Sequence, residues 1–273
     1  MKSIRSLCAA AWFTSVLLLP GSAYAQFGAT PFHDPATGEK YHLEVAGELW
    51  NPPLDLKVAS EELGIAGTQI DATQDLGLEQ KWLTELRIVL RPARKHKFRL
   101  NYLPMKYTGQ STLHREFVFN GQRFGVNLPL TTDLEWTTWR ADYEYDFLYH
   151  DNWFVGFLVS SKFTKVLVNI DSPIGNEFAQ AQAPVPTIGG IARVYVAPNI
   201  SITGELTGIK IPDSVSTDYK AHYFDFDLYG TVNFNDYVGA QLGYRNIDVF
   251  YRFEKDEGTF KMKRLYFGGV VRY

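Results

Sequence analysis

The chain has 273 residues, of which 45% are hydrophobic and 15% aromatic, and its formal net charge is −3. This balance argues against a nucleic-acid partner, which would require a basic surface. The single cysteine is Cys8, so the rest of the chain offers no disulfide, no thiolate metal ligand and no cysteine nucleophile.

Residues 1–25 have the pattern of a secretory signal peptide. Lys2 and Arg5 supply a positive start, residues 7–19 form an apolar segment, and Ala23-Tyr24-Ala25 has the small residues of a cleavage site. The alternative is an uncleaved membrane anchor, but the apolar segment is short for a bilayer core of about 30 Å. Without Lys2 and Arg5, the 27 basic residues fall to 25 against 30 acidic residues, a formal charge of −5.

Residues 26–40 read as an irregular lead-in, and residues 41–273 as one domain of stretches in which apolar and polar residues alternate. Alternation of this kind is typical of strands with two unlike faces. We predict ten strands, with eight as the alternative; residues 54–58 of the first long loop also alternate. The predicted strands are 41–50, 81–91, 96–107, 133–149, 152–165, 187–197, 199–211, 219–234, 236–252 and 259–273.

The connections between these strands alternate between tight turns and longer loops. The longer loops are 51–80, 108–132, 166–186, 212–218 and 253–258. A closed barrel in an outer membrane requires such alternation, because periplasmic turns are short and extracellular loops are longer. The fold class expected is therefore all-β: a closed, antiparallel transmembrane β-barrel.

The last strand carries the clearest family resemblance. Leu265, Phe267, Gly269, Val271 and Tyr273 share one face, and the chain ends on an aromatic residue. In this it resembles the bacterial outer-membrane β-barrel proteins, whose last strand ends in Phe or Tyr on the lipid face. The resemblance implies a location in the bacterial outer membrane, contact with membrane lipid, and an assembly signal at Phe267, Val271 and Tyr273 read by the outer-membrane assembly machinery.

The same alternation predicts which charges face the lumen. Trp82, Leu86 and Ile88 share one phase, whereas Glu85 and Arg87 share the other. In a soluble sandwich the charged face would meet water, but in a barrel it lines the interior. The expected lumen charge network is Glu85, Arg87, Arg99, Arg140, Asp142, Glu144, Asp146, Arg193, Glu205, Asp225, Asp227, Arg245 and Arg264, joined by Glu44, Glu48, Arg91, Lys162 and Arg272.

Two interpretations of this network remain open. Barrels of eight to ten strands are largely filled by their own side chains, and buried charges need partners. A paired plug is therefore the first interpretation. A narrow channel or portal for small solutes or apolar molecules is the second. The near balance of signs argues against strong ion selectivity.

An outer-membrane hydrolase is a third possibility. His222 precedes Asp225 and Asp227, which loosely resembles an outer-membrane protease with paired aspartates and a histidine near the barrel mouth. His222, however, falls on the lipid phase and the two aspartates on the inner one. No serine is paired with a histidine in sequence, as an acyl hydrolase would need. We therefore assign no catalytic residue and no cofactor.

Two long loops are candidates for contact with an extracellular ligand. Loop 108–132 contains Asn120-Gly121 between alternating apolar residues, the signal of a β-hairpin, with Phe117, Phe119 and Phe124 on it. These rings either pack on neighbouring loops or form a binding lip. Loop 51–80 carries Asp71 and Asp75 among glycines, but their spacing does not match a calcium loop, so we assign no metal. The function expected is that of a non-enzymatic membrane protein, structural or surface-interacting.

Overall fold

The computed structural model describes residues 36–59, 68–119, 122–211, 219–253 and 256–273. The predicted signal peptide 1–25 and residues 26–35 of the lead-in lie outside the described residues. So do the Asn120-Gly121 pair and the loop 212–218.

The described residues form strands joined by turns and loops. The strands are β1 (Leu43–Trp50), β2 (Asp55–Ala59), β3 (Ile70–Asp71), β4 (Leu83–Ala93), β5 (His96–Thr112), β6 (Phe117–Phe119), β7 (Gln122–Phe124), β8 (Pro129–Tyr149), β9 (Trp153–Ser172), β10 (Gly175–Ala197), β11 (Ile200–Lys210), β12 (Tyr219–Asn233), β13 (Val238–Phe253) and β14 (Asp256–Arg272). The described residues contain no helix that is long and apolar enough to cross a membrane.

Ten of these strands close into one antiparallel barrel. Each pairs with the next in the order β1-β4-β5-β8-β9-β10-β11-β12-β13-β14, and β14 returns to β1, where Val45 pairs with Val271. The prediction of ten strands is confirmed, and the alternative of eight is wrong. Closure pairs each of the ten strands on both sides, as a sheet in hydrocarbon requires.

Strand β2 continues β1 along the same neighbour. Trp50 pairs with Tyr266 and Asp55 pairs with Lys261 without a change of register, so β1 and β2 are one interrupted strand against β14. The interruption contains Pro52 and Pro53, which have no N–H to donate to the ladder. The alternation predicted at 54–58 therefore corresponds to a short strand, but this strand does not add to the number of strands in the barrel wall.

The predicted loop 166–186 is wrong. Strand β9 continues to Ser172, a two-residue turn follows, and β10 returns from Gly175 in full register with β9. Pro184 and Pro186 suggested a loop in the sequence. They are tolerated because, among the described residues, β11 begins to pair with β10 only at Ile188, so the prolines lie on an unpaired edge.

The barrel wall separates two kinds of surface. Outward positions of the wall carry exposed apolar side chains, among them Leu90, Phe98, Trp139, Phe163, Leu228, Leu242, Phe267 and Val271. Inward positions are buried and, toward one end, charged. That end holds the turns after β4, β8, β10 and β12 together with Tyr273, as expected for the periplasmic side. An apolar exterior around a charged interior is the inverse of a soluble protein and matches a membrane barrel.

Candidate functional site in the barrel lumen

The inward phase of the strands changes character along the lumen. On β5, Lys97, Arg99 and Asn101 are followed by Leu103 and Met105, all of them buried. Strand β8 makes the same change from Glu144, Asp142 and Arg140 to Trp136 and Leu134. The lumen therefore has a charged periplasmic layer and an apolar extracellular layer.

The periplasmic end of the charged layer is closed by Glu39, which precedes β1. One carboxylate oxygen, Oε1, accepts hydrogen bonds from Arg193 Nη1 at 2.7 Å and from the Tyr195 hydroxyl at 3.0 Å. The other, Oε2, lies 3.2 Å from Arg91 Nη1. Burial alone would raise the pKa of Glu39, but the charges of Arg193, Lys97 and Arg91 outweigh it and lower that pKa to about 2. Sequence reasoning missed Glu39, because nothing in an irregular lead-in indicates that it enters a barrel.

Lys97 is the centre of the next group. Its Nζ lies 2.7 Å from Glu144 Oε1 and 2.9 Å from Asp146 Oδ2, and all three side chains are almost fully buried. Arg99 Nη1 reaches the other Glu144 oxygen at 3.4 Å. Lys97 was not among the predicted inward charges, although it shares the phase of Arg99 and could have been found by that alternation.

Glu205 joins two arginines across the lumen. Its Oε2 accepts from Arg99 Nη1 at 2.6 Å, and its Oε1 is bonded to Arg140 Nη2. Arg140 Nε also donates to Asp142 Oδ1 at 2.8 Å. Because β5, β8 and β11 supply these groups, the network connects strands that are not neighbours in the wall.

Asp225 is the corresponding hub nearest the apolar layer. Its Oδ2 lies 2.9 Å from Lys162 Nζ, and its Oδ1 accepts from Arg245 Nε at 3.0 Å. Arg245 is also bonded to Glu85, which accepts from Asn101 Nδ2 at 3.1 Å. The charges here are thus shared among several partners rather than held in isolated pairs.

Two further groups fasten β1 to its neighbours. Arg87 Nη2 lies 3.1 Å from Glu48 Oε1, and Arg272 Nε lies 2.6 Å from Glu44 Oε2. All four side chains are buried. Breaking such a pair by removing one partner typically costs 3–5 kcal/mol, since it leaves an uncompensated buried charge.

The structure brings together all but one of the predicted network residues. Glu85, Arg87, Arg99, Arg140, Asp142, Glu144, Asp146, Arg193, Glu205, Asp225, Asp227 and Arg245 are buried in the lumen. Asp227 is held by the Tyr266 hydroxyl, 3.0 Å from its Oδ1.

Arg264 departs from the prediction. It is exposed, and no hydrogen bond or ion pair joins it to another of the described residues. Its register partner on β13 is Arg245, which already forms ion pairs with Asp225 and Glu85. A second guanidinium group at this point of the lumen would therefore lie beside a like charge. On its other side lies the interruption between β1 and β2. Phase alone therefore does not place a charge in the lumen.

The extracellular layer is built from wall and loop residues together, and sequence reasoning missed it. Trp136 stacks on Phe260 with ring centroids 4.0 Å apart. From the loops, Leu76, Leu78, Phe117 and Phe124 pack into the same cluster, nearly free of solvent contact. The hairpin predicted in loop 108–132 forms as β6 and β7. Of the two alternatives for its phenylalanines, packing on neighbouring loops is the one observed, because Phe117, Phe119 and Phe124 are buried in this layer and form no exposed lip.

A small cavity remains where the two layers meet. Its volume is about 20 Å³, and its lining runs from Arg140, Lys162 and Asp225 on one side to Trp136 and Met262 on the other. A single water needs about 10–15 Å³ by the same measure. The cavity therefore has room for little more than one water.

The candidate catalytic residues do not converge. His222 lies on the outer face, where its Nε2 is 3.3 Å from Asp248 Oδ1, whereas Asp225 and Asp227 are buried inside. Among the residues that the structure describes, no group of three or more histidine, aspartate or glutamate side chains is placed to hold a metal.

Exposed aromatic and apolar residues mark the proposed assembly signal. Phe267, Val271 and Tyr273 all point away from the lumen, and Tyr273 is 85% exposed. The Tyr273 backbone is tied to Leu43 by hydrogen bonds in both directions, of 2.8 and 2.9 Å, which completes the seam between β14 and β1. Recognition of these residues by assembly machinery stays a prediction.

No family model matches the chain, and no curated protein matches it in sequence. Among solved structures it is similar to the outer-membrane protease OmpT of Escherichia coli, with a TM-score of 0.58 and 8% identity over 85% of this chain and 96% of that one. Neisserial surface protein A has a TM-score of 0.35 and 13% identity, over 85% of this chain and 97% of that one. The toluene transporter TodX of Pseudomonas putida has a TM-score of 0.35 and 8% identity, over 88% of this chain and 92% of that one. The likeness to OmpT is one of fold alone, and the two weaker likenesses support no further conclusion.

The fold is that of the bacterial outer-membrane β-barrels. The wall is closed and antiparallel, its exterior carries an apolar band, and its charges are enclosed. A barrel of this kind meets the two requirements of a hydrocarbon environment, which are paired backbone groups and an apolar exterior. The chain accordingly has the fold of an outer-membrane β-barrel.

Proposed function

We propose that this protein is a non-enzymatic outer-membrane barrel whose lumen is sealed and which acts through its extracellular surface. The observation that carries the proposal is the double filling of the lumen. Ion pairs occupy the periplasmic half, and loop and wall side chains occupy the extracellular half, with a cavity of about 20 Å³ between them.

Opening a path through the charged layer would be costly. A solute passing Glu205 would have to separate it from both Arg99 and Arg140, and Asp225 is held by Lys162 and Arg245 in the same way. Each uncompensated buried charge costs several kcal/mol. This argues for a rigid, closed barrel rather than a channel.

The extracellular part supports a role at the cell surface. Strands β8, β9 and β10 have 21, 20 and 23 residues, about twice the length that crosses an outer membrane. The described parts of loops 51–80 and 108–132 are joined to each other above the barrel, because Arg115 donates from Nε to Asp75 Oδ1 at 2.9 Å and from Nη2 to the Gln69 carbonyl at 2.7 Å. A rigid surface of this kind suits an extracellular ligand, which we propose binds through these loops.

The ion pair between Arg115 and Asp75 keeps its charges when the pH falls moderately. Burial opposes ionisation of Asp75, but hydrogen bonds from Arg115 and from the Asp71 amide outweigh it and lower the pKa of the Asp75 carboxyl. The loops therefore stay fastened at mildly acidic pH, as a permanent surface would require.

The experiment that tests this proposal is liposome swelling with small neutral sugars, run beside peptide and lipid A cleavage assays on the same purified protein. We expect neither swelling nor cleavage. Swelling would favour the channel, and cleavage that is lost in His222→Ala would favour a hydrolase.

One observation favours a second candidate, a portal for apolar molecules. The extracellular half of the lumen is apolar, with Leu103, Met105, Trp136, Phe260 and Met262 lining it. Uptake of an aromatic hydrocarbon into vesicles that do not swell in sugar would support the portal over the sealed barrel.

A further inference from the structure

Lysines mark the extracellular limit of the apolar exterior on three strands. On β9, β11 and β14, the outward positions are apolar or small until a lysine follows, two residues farther toward the extracellular side. The series are Phe157, Val159, Ser161, Phe163 and then Lys165; Ile200, Ile202, Gly204, Leu206, Gly208 and then Lys210; and Val271, Gly269, Phe267, Leu265 and then Lys263. We call Lys165, Lys210 and Lys263 the rim lysines.

The rim lysines are exposed and carry no partner within the part of the chain that the structure describes. None of the three forms a hydrogen bond or an ion pair with another of the described residues. Two lysines near them differ: Lys106 lies 2.7 Å from Glu135, and Lys261 lies 3.3 Å from Asp248. Glu135 and Asp248 are therefore already paired with other lysines. The ammonium groups of the rim lysines have no such partner among the described residues.

The opposite end of the exterior is built differently. There the outward side chains beside the turns are aromatic, with Phe234 and Tyr273 69% and 85% exposed. Lys95 lies at that end too, but in the turn between β4 and β5 rather than on an outward strand position. Aromatic rings suit an interface without requiring charge, whereas ammonium groups at the edge of the apolar band suit a layer of anionic headgroups.

We propose that the rim lysines bind phosphate groups of anionic lipids in the extracellular leaflet. Each lysine stands where the acyl chains end, so its long stem can lie along the apolar wall while its ammonium group reaches the headgroup layer. The three lysines lie on separate parts of the barrel wall, so they contact different lipids and together form a rim rather than one pocket.

The test is a binding titration of the full chain in neutral detergent with diphosphorylated lipid A. The comparison probes are the same lipid without its phosphates and inorganic phosphate alone. Lys165→Gln, Lys210→Gln and Lys263→Gln should each weaken binding of lipid A about fivefold at its own position on the rim, which corresponds to about 1 kcal/mol per basic residue near an anionic surface, and leave the other two positions unchanged. Because each lysine contacts a different lipid, the triple variant should weaken binding about fivefold at all three positions. Lys95→Gln is the matched control and should bind as the wild type does.

Heat-modifiable mobility on gels is the control for folding of each variant. Because the rim lysines are exposed, we expect every variant to retain it. Wild-type binding should weaken as salt rises, because exposed charges are screened over about 10 Å at 0.1 M. Unchanged binding in the triple variant would overturn the proposal. So would equal binding of the dephosphorylated lipid, or inorganic phosphate binding as tightly as lipid A.

Discussion

Gly77 packs directly against Gly109, with no side chain between the loop and the barrel wall. A Cβ on Gly109 would lie 2.6 Å from the Gly77 carbonyl oxygen. Gly77 itself has a φ of +67°, a backbone conformation that residues with a side chain rarely adopt. Leu78 then forms an isolated bridge to Gly109. The close approach brings Leu76 and Leu78 into the apolar layer, so this contact positions the extracellular half of the seal.

Gly109→Val should therefore release the loop. A valine side chain cannot share the space of the Gly77 carbonyl, and overpacking of this kind costs about 1–3 kcal/mol. Lys81 is exposed beside this loop, and we expect trypsin to cleave there faster in intact cells that carry the variant than in cells that carry the wild type. Gly47→Val is the matched control, because a Cβ on Gly47 meets no atom within 4 Å. Equal protection of Gly109→Val and the wild type would show that the loop does not depend on this contact.

Glu39→Gln should loosen the periplasmic end. The variant keeps the shape of the side chain but leaves Arg91 and Arg193 without their carboxylate, at a cost of about 3–5 kcal/mol in unfolding free energy. The temperature at which heat-modifiable mobility is lost should fall. Glu79→Gln, an exposed position, should leave it unchanged.

The Glu39 effect should also depend on pH in a defined direction. The folded pKa of about 2 lies below the ordinary value of 4.5, so the stabilisation is complete above pH 4.5 and is lost as pH falls toward 2. The difference between wild type and Glu39→Gln should hold from pH 8 to pH 5 and shrink by pH 3. A difference that instead vanished at pH 5 would mean that Glu39 is not held by the arginines.

Leu228→Arg should impair insertion by about 2–4 kcal/mol, as charges near the bilayer midplane do. Leu228 is the middle outward residue of the apolar series on β12, and it is 45% exposed. Its neighbour Asp227 faces the lumen, and Asp227→Asn keeps an acceptor for the Tyr266 hydroxyl, so that change should be milder. Assembly yields of the two variants give the comparison. Harmless Leu228→Arg beside damaging Asp227→Asn would reverse the inside and outside assigned here.

Deletion of Tyr273, or Tyr273→Asp, should lower the amount of barrel assembled in the outer membrane while secretion into the periplasm continues. Tyr273→Phe keeps the exposed ring and should assemble normally. Protease accessibility in cells, together with heat-modifiability, measures assembly of the three variants. Full assembly of the deletion variant would show that the carboxyl-terminal residue is not part of the assembly signal.

The barrel could be predicted from the sequence because strand alternation records a difference between two environments. Lipid and lumen differ so strongly that buried residues such as Asp227 alternate with more exposed ones such as Leu228 over residues 224–233 of β12. Beyond the membrane this contrast fades, and the hairpin of β9 and β10 reads as a loop with Pro184 and Pro186. The sequence shows what a residue faces, but not whether a strand continues where both faces are wet.

The seal could be predicted only in part. Lys97 and the change to Leu103 on β5 are visible in the same alternation, so the apolar layer had a signal that could have been used. Glu39 had none, because its place depends on where the chain before β1 folds back. Arg264 shows the reverse case: its phase points inward, but Arg245 already holds the acids within reach.

Conductance of the purified protein in a planar bilayer is the sharpest test of whether the lumen is sealed. Ion pairs and the apolar layer fill the lumen of the closed barrel. We therefore expect insertion, verified by heat-modifiable mobility of the recovered protein, with no stepwise current at neutral pH. Reproducible single-channel steps from the wild-type protein under those conditions would contradict it.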